Sequence, residues 1–399
     1  MSIIGLAFRN LMRHRRRAFL TSAILAAAIG YYIIIDGMLK GFEVESVKNF
    51  IGLTSGDLKI TSLDFNPDNL QGLIENPSKI ERALDTLRFV VAYTERLKVM
   101  GFVDNGLDQY PVVIVGIDPK ADSTVFDLFR YADKPLSSNV ILIGKNIAKA
   151  FNLRSGDFLF VNFRGKNGAL VSVEREIGIV SAPDPAINNS FVFMDINEMR
   201  ELGGFDSLAT EIAVKTVDFR RSDEFKSLMV GVLKGVRVVS WRDEGADFLA
   251  ISQVKQKAQG VFVFFIILIG IIGTANTVLI SVYEKVREIG TLKALGMTDG
   301  EVLRLFVAEG VLIGLFGSLV GVALGALGNW YFVVHGLDLT KLYGEMEYGY
   351  RVLGTVHSVW SLKSIVTLAV IGPMTTGLAA AFPARKAGRM TPAECLRWS

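Results

Sequence analysis

The chain has 399 residues, half of them apolar, with 43 Lys and Arg against 40 Asp and Glu for a formal net charge of +3. A mean hydropathy of +0.38 is too high for an ordinary water-soluble protein, while 21% charged residues are too many for a chain lying wholly in lipid. Long apolar segments alternating with a water-exposed domain reconcile the two, and basic clusters beside those segments argue for membrane topology and against nucleic acid.

In residues 1–17, Ile4, Phe8 and Leu11 share a helical face while Arg9, Arg13 and Arg16 lie away from it, which predicts a short leading helix in the membrane interface. Residues 18–35 follow as a first transmembrane helix, close to the roughly 20 residues that a bilayer core requires. Ala26-Ala27-Ala28 imitates a signal-peptide cleavage site, but the apolar run continues through Tyr31 to Ile35, so a retained anchor is expected.

Residues 36–257 then read as an extracytoplasmic α+β domain, or two small lobes, without regular βαβ alternation. Helical character persists over 36–50, and in 243–259 Phe248, Ile251, Val254 and Ala258 share one side. These stretches form either stalk helices or ordinary connections. Between them strands are predicted at 57–61, 112–117, 140–143, 158–163, 171–179, 191–194, 211–215 and 237–241. Helices are predicted at 77–87, 145–151, 196–202 and 218–233, with turn chemistry at Arg154-Ser155-Gly156-Asp157 and Gly165-Lys166-Asn167-Gly168. The dispersed acidic residues here read as a solvated surface.

A second span covers 261–282, a charged connection 283–301, a third span 302–334, an outer connection 335–363, a fourth span 364–382 and a tail 383–399. The third span is longer than a bilayer requires, and Gly372-Pro373 predicts a kink in the fourth. In the charged connection Val286, Ile289, Leu292 and Leu295 form an apolar set on a helix too short to cross lipid, so a partner groove or interfacial lipid should cover them. Gly310, Gly314, Gly317, Gly321, Gly325 and Gly328 form a small-residue ladder on the third span, suited to close packing within the chain or to a subunit interface. Glu309, the sole acidic residue inside a span, is expected to make a structural ion pair with the N-terminal arginines rather than act as a proton relay.

Arg9, Arg13, Arg15, Arg16 and Arg17 precede the first span; Lys285, Arg287 and Lys293 follow the second; Arg385, Lys386, Arg389 and Arg397 follow the fourth. With four spans these segments share one side, which the positive-inside rule makes cytoplasmic, so both termini are expected there. The lone Cys395 and the scattered His14, His335 and His357 suggest no disulfide or metal cluster. No phosphate-binding loop, H-E-x-x-H, C-x-x-C or G-x-S-x-G signature appears, so no catalytic residue is assigned, and energy for transport must come from another chain or an ion gradient.

The run Tyr283-Glu284-Lys285-Val286-Arg287-Glu288-Ile289-Gly290, continuing through Thr291-Leu292-Lys293-Ala294-Leu295-Gly296-Met297-Thr298, resembles the cytoplasmic coupling segment of MacB/FtsX-type ABC transporter permeases. The glycine-rich third span, the ending Pro383-Ala384-Arg385-Lys386-Ala387-Gly388-Arg389-Met390-Thr391-Pro392-Ala393-Glu394 and the opening Leu6-Ala7-Phe8-Arg9-Asn10-Leu11-Met12-Arg13-His14 are also similar to that family. Val115-Gly116-Ile117-Asp118-Pro119, and Ile143-Gly144-Lys145 with Ser155-Gly156-Asp157, resemble its outer domain more loosely.

The resemblance implies an α-helical membrane protein with four transmembrane helices and a large α+β extracytoplasmic domain between helices 1 and 2. It implies a non-catalytic permease whose partner ATPase, binding ATP and Mg, docks at Glu284, Val286, Arg287, Glu288, Ile289, Leu292, Lys293, Leu295 and Gly296; this chain would hold no cofactor itself. A second permease subunit, identical or homologous, would complete the assembly. Length and a single outer domain make the chain most like the free-standing lipoprotein-releasing Lol-type branch of the bacterial cytoplasmic membrane, with a lipoprotein substrate or periplasmic carrier. MacB-like efflux or peptide transport and FtsX-like activation of a cell-wall hydrolase are the alternatives.

Overall fold

The computed structural model describes residues 3–13, 15–66, 72–338 and 351–396, so His14, Arg397 and the middle of the 335–363 connection lie outside the described residues. The chain divides into two compact units: residues 1–42, 252–338 and 355–399 form the membrane unit, and residues 43–251 and 339–354 the other.

The chain begins with α1 (Ile3–Arg13), which exposes Ile4, Phe8 and Met12 at four-residue spacing and buries Ala7. Then α2 (Arg15–Phe50) runs unbroken for 36 residues, joining the first apolar run to the helical stretch beyond it. At 1.5 Å per residue it is about 54 Å long, well beyond the roughly 30 Å hydrocarbon core. It closes in a π-helical turn, Ile51–Ser55, and the chain is released by Gly56 at φ +69°, a left-handed value that favours glycine.

In the second unit β1 (Leu58–Ser62) and α3 (Pro77–Leu84) lead into β2 (Val90–Asp104), a 15-residue strand that organises everything after it. Next come β3 (Gln109–Ile117), α4 (Pro119–Val125), β4 (Val140–Gly144), α5 (Lys145–Ala150), β5 (Phe158–Arg164) and β6 (Leu170–Val180). The unit continues through α6 (Pro185–Ser190), β7 (Phe191–Asp195), α7 (Ile196–Gly203), β8 (Glu211–Thr216), α8 (Ser222–Val232), β9 (Val236–Ser240) and α9 (Trp241–Glu244).

The strands run in the order β3-β7-β4-β6-β5-β2-β8-β1-β9, and β3 also pairs with β2, so the first six close into a ring. Inward-facing Val103, Ile114, Ile143, Val161, Ile177 and Val192 fill it. The first half of β2 leaves the ring and pairs with β8, which continues the sheet through β1 to β9. On this arm alternation separates two faces. Leu58, Ile60, Ile212 and Val214 pack on Ile80 and Leu84 of α3 and on Phe225 and Met229 of α8. The opposite face carries Lys59, Arg96, Lys98 and Glu211, all buried.

That second face corrects the expectation of a solvated acidic surface. Glu211 lies 3.3 Å from the Lys59 Nζ and 2.7 Å from the Lys98 Nζ, and Lys59 also pairs with Glu244 at 2.5 Å. Arg96, fully buried, forks onto Asp122 of α4 at 2.8 and 3.0 Å and stacks 3.5 Å above the Phe126 ring. Burial would push the Glu211 carboxyl up, but Lys59, Lys98 and Arg96 outweigh it and hold the group down at about 2.

Back in the membrane unit, α10 (Ala246–Glu284) is followed by α11 (Val286–Ala294) and α12 (Asp299–His335). A two-residue ladder pairs β10 (Leu337–Asp338) with β11 (Thr355–Val356) before α13 (Leu362–Arg389) and α14 (Pro392–Leu396). The helices α2, α10, α12 and α13 are long and apolar enough to cross a membrane. The glycine ladder of α12 is spent inside the chain. Gly317, Gly321 and Gly325 meet α2, where a Cβ on Gly321 would stand 2.8 Å from the Ala26 carbonyl oxygen. Gly310 and Gly314 meet α13, where a Cβ on Gly310 would stand 2.5 Å from the Ala380 Cβ. Helix α13 continues past Pro373, and the Thr375 and Thr376 hydroxyls donate to the Ile371, Gly372 and Pro373 carbonyls around that break in the ladder.

Candidate coupling site

The charged connection folds because its ends are chemically punctuated. Lys285 leaves helical geometry at φ −108°, ψ 9° and so separates α10 from α11. Gly296, at φ +105°, reverses the chain after Leu295, with the Gly296 and Met297 amides donating to the Lys293 and Leu292 carbonyls. Thr298 and Glu301 then cap α12 reciprocally.

Periodicity decides which side chains turn inward. Val286 and Ile289 are buried in a cluster with Val282 of α10, Val302 and Phe306 of α12, Ala380, Ala384 and Ala387 of α13, and Cys395 of α14. They serve the chain's own core, so four apolar residues awaiting one partner is not what forms. Leu292 is half-buried and Leu295 is 80% exposed. Lys293 also points inward: its Nζ donates to the Gly388 and Met390 carbonyls at 2.7 and 2.6 Å and pairs with Asp299 at 2.8 Å. It therefore fastens the C-terminal end of α13 to the start of α12. Glu284, Arg287, Glu288, Thr291, Leu295 and Gly296 are left on the outside.

Two of these acids are already engaged. Arg13 of α1 donates to Glu288 at 3.0 Å, and Arg17 of α2 donates to Glu284 at 2.6 Å. The two arginines and the two glutamates are each four residues apart, a complementary pair of ladders that the sequence displays openly.

Glu309 takes a different partner from the one expected. It pairs with Lys285 at 3.3 Å, both side chains being 5% exposed, and accepts from Asn10 Nδ2 at 2.7 Å and Ser281 Oγ at 3.3 Å. Of the N-terminal arginines, Arg13 and Arg17 pair with Glu288 and Glu284 instead. Through Asn10 and Lys285, this one carboxylate joins α1 and the junction after α10 to α12. The glycines Gly310, Gly314, Gly317, Gly321 and Gly325 hold α12 between α2 and α13. Among the described residues, no group of three or more His, Cys, Asp or Glu is placed to hold a metal.

Four apolar helices, an α+β domain inserted between the first and second, and a braced charged helix between the second and third define a multi-pass membrane protein. Residues 260–392 match the FtsX-like permease C-terminal family. Over 99% of this chain and 98% of the relative, it is 21% identical to the lipoprotein-releasing system transmembrane protein LolC of Xylella fastidiosa. With the same coverages it is 24% identical to the uncharacterized ABC transporter permease YknZ of Bacillus subtilis. The crystal structure of the extracellular domain of a YknZ from Gram-positive bacteria aligns at TM-score 0.32 and 12% identity, covering 46% of this chain and 99% of that one. Residues 260–392 thus carry the FtsX-like permease signature, and over nearly its whole length the chain is similar to transmembrane subunits of ABC transporters. Permeases of that family are typically non-catalytic transmembrane subunits, and the likeness implies a partner ATPase.

Proposed function

We propose that this permease couples ATP hydrolysis by a separate ATPase subunit, which holds the ATP and Mg, to movements of its own outer domain, and that the work released is detachment of lipoproteins from the cytoplasmic membrane. The observation that carries the coupling half is Leu295. It is a large aliphatic side chain 80% exposed at the end of a helix whose Val286 and Ile289 are buried. A hydrophobic knob on a braced platform is what a docking groove needs, because a push on α11 is passed through Val286, Ile289 and Lys293 to α10, α12 and α13 rather than absorbed locally. Docking uses Leu295 with Leu292, Arg287, Thr291 and Gly296 around it, while Glu284 and Glu288 stay with the arginines. The likeness to LolC supports the lipoprotein half. A second permease subunit, identical or homologous, completes the assembly, with both termini and α11 on the cytoplasmic side.

Burying one leucine is worth roughly 1.5–3 kcal/mol, so Leu295→Glu weakens ATPase retention roughly ten- to hundred-fold on co-purification in mild detergent. The permease still inserts, because Leu295 packs on nothing in its own core. Full retention with normal ATPase coupling removes α11 as the dock. ATP-driven release of an acylated lipoprotein from proteoliposomes holding permease and ATPase tests the cargo; coupled hydrolysis without release reassigns the output to efflux or regulation. For topology, a cysteine at exposed Ser172 labels from outside intact cells and one at exposed Thr298 does not, in a background where Cys395 is replaced.

A further inference from the structure

A groove of about 400 Å3 runs along the membrane unit where α1, α2 and α12 converge. Its walls are Phe8 and Met12 of α1, Phe19 of α2, and Phe316 and Leu319 of α12, all more than half exposed, and Arg15 stands among them. The volume lies in the ~300–1,000 Å3 range of small-ligand sites. No acidic group lies within ion-pair distance of Arg15, nor of exposed Arg9 or Arg16, among the described residues, although Arg13 and Arg17 on either side have found Glu288 and Glu284. The sequence places five arginines here and the fold pairs two of them with glutamates, leaving positive charge beside an apolar slot. The slot lies at the level where the charged layer of Arg17, Glu284 and Glu309 gives way to the apolar stretches of α2 and α12.

We propose that this groove is a specific site for one anionic glycerophospholipid, an acyl chain lying against Phe8, Phe19 and Phe316 and its phosphate facing Arg15. An apolar slot on membrane-spanning helices must be covered by something greasy, and the uncompensated arginine selects an anionic headgroup among the lipids that could cover it. Because α1 also reaches the charged connection through Arg13, an occupied groove holds the leading helix in the position where that contact forms.

The test is lipid retention by the purified full-length chain in mild detergent, read by native mass spectrometry after exchange into equal phosphatidylglycerol and phosphatidylcholine. The wild type should keep phosphatidylglycerol in preference by about five-fold, the worth of one arginine at an anionic lipid surface. Arg15→Gln should erase the preference, Arg15→Lys should keep it, and Leu319→Trp, which crowds the slot, should lower retention of both lipids. Equal retention by the wild type, or an unchanged preference in Arg15→Gln, overturns the site. So does a dimer that forms without lipid preference and dissociates in Phe316→Arg, since a second copy would then fill the groove.

Discussion

Two of the chain's buried carboxylates, Glu211 and Glu309, meet cations in very different settings. In the outer unit, Glu211 sits in a sheet with Lys59 and Lys98 within 3.3 Å, its side chain 1% exposed, and a second fully buried pair, Arg96–Asp122, lies along the same face. In the membrane unit, Glu309 meets a single lysine, and an amide and a hydroxyl complete its shell. In the first cluster several charges lie at close quarters, and the Glu211 carboxylate meets only lysines. The second has neutral partners that survive the loss of the charge. A buried ion pair is weak evidence for stability, but removing one member is costly in proportion to what is left unpaired. The two sites should therefore respond differently to the same substitution.

The largest effect is expected at the sheet. Glu211→Gln strands two buried lysines beside Glu244 and should cost about 3–5 kcal/mol, read as a lowered thermal midpoint of the full chain in detergent. A cost near that of a surface substitution would mean that Lys59 and Lys98 escape to water. Acid should reach the same cluster more gently. Folding lowers the Glu211 carboxyl from its ordinary value of 4.5 to about 2, so the stability it supplies is complete above pH 4.5 and is lost as pH falls toward 2. The wild-type midpoint should decline through that window, and Glu211→Gln should remove this part of the decline; an identical slope in both would place the acid sensitivity elsewhere.

At the membrane site, Glu309→Gln should cost less, about 1–3 kcal/mol, because Gln still accepts from Asn10 while Lys285 loses its counter-charge. The double variant with Lys285→Met should recover most of the loss, and ATP-driven function should persist in the assembled fraction. A proton-dependent step lost from a normally assembled Glu309→Gln protein would revive the relay reading. The smallest effect is expected at the surface pair Arg13–Glu288, where the side chains are 69% and 53% exposed. Arg13→Ala should change stability by only ~0.2–1 kcal/mol, and raised salt should abolish even that.

The sequence was most legible where one element's chemistry decides its fate. Long apolar runs have to become helices in lipid, because an unpaired backbone group there is too costly, and all four coincide with helices of the structure. Strands such as 140–144 and 191–195 announce themselves by short apolar runs. The strand β2 did not, although it is the longest: Thr94-Glu95-Arg96-Leu97-Lys98 and Gly101 look like a surface connection until Asp122 and Glu211 arrive from elsewhere to cover the charges.

The coupling helix divides in the same way. Its length, its ends at Lys285 and Gly296 and its mixed charge follow from the local residues, since caps and left-handed turns involve only near neighbours. Which of Val286, Ile289, Leu292 and Leu295 would be free for a partner did not, because that depends on α13 and α14, about a hundred residues further on, closing over one side of the helix. Likewise the spacing of Gly310 to Gly325 permitted a close approach, within the chain or between subunits, and only the tertiary structure shows α2 and α13 making it. Local chemistry sets what a segment can form. Which of its faces meets water, lipid or another chain is decided by long-range packing, which pairs residues that the sequence holds far apart.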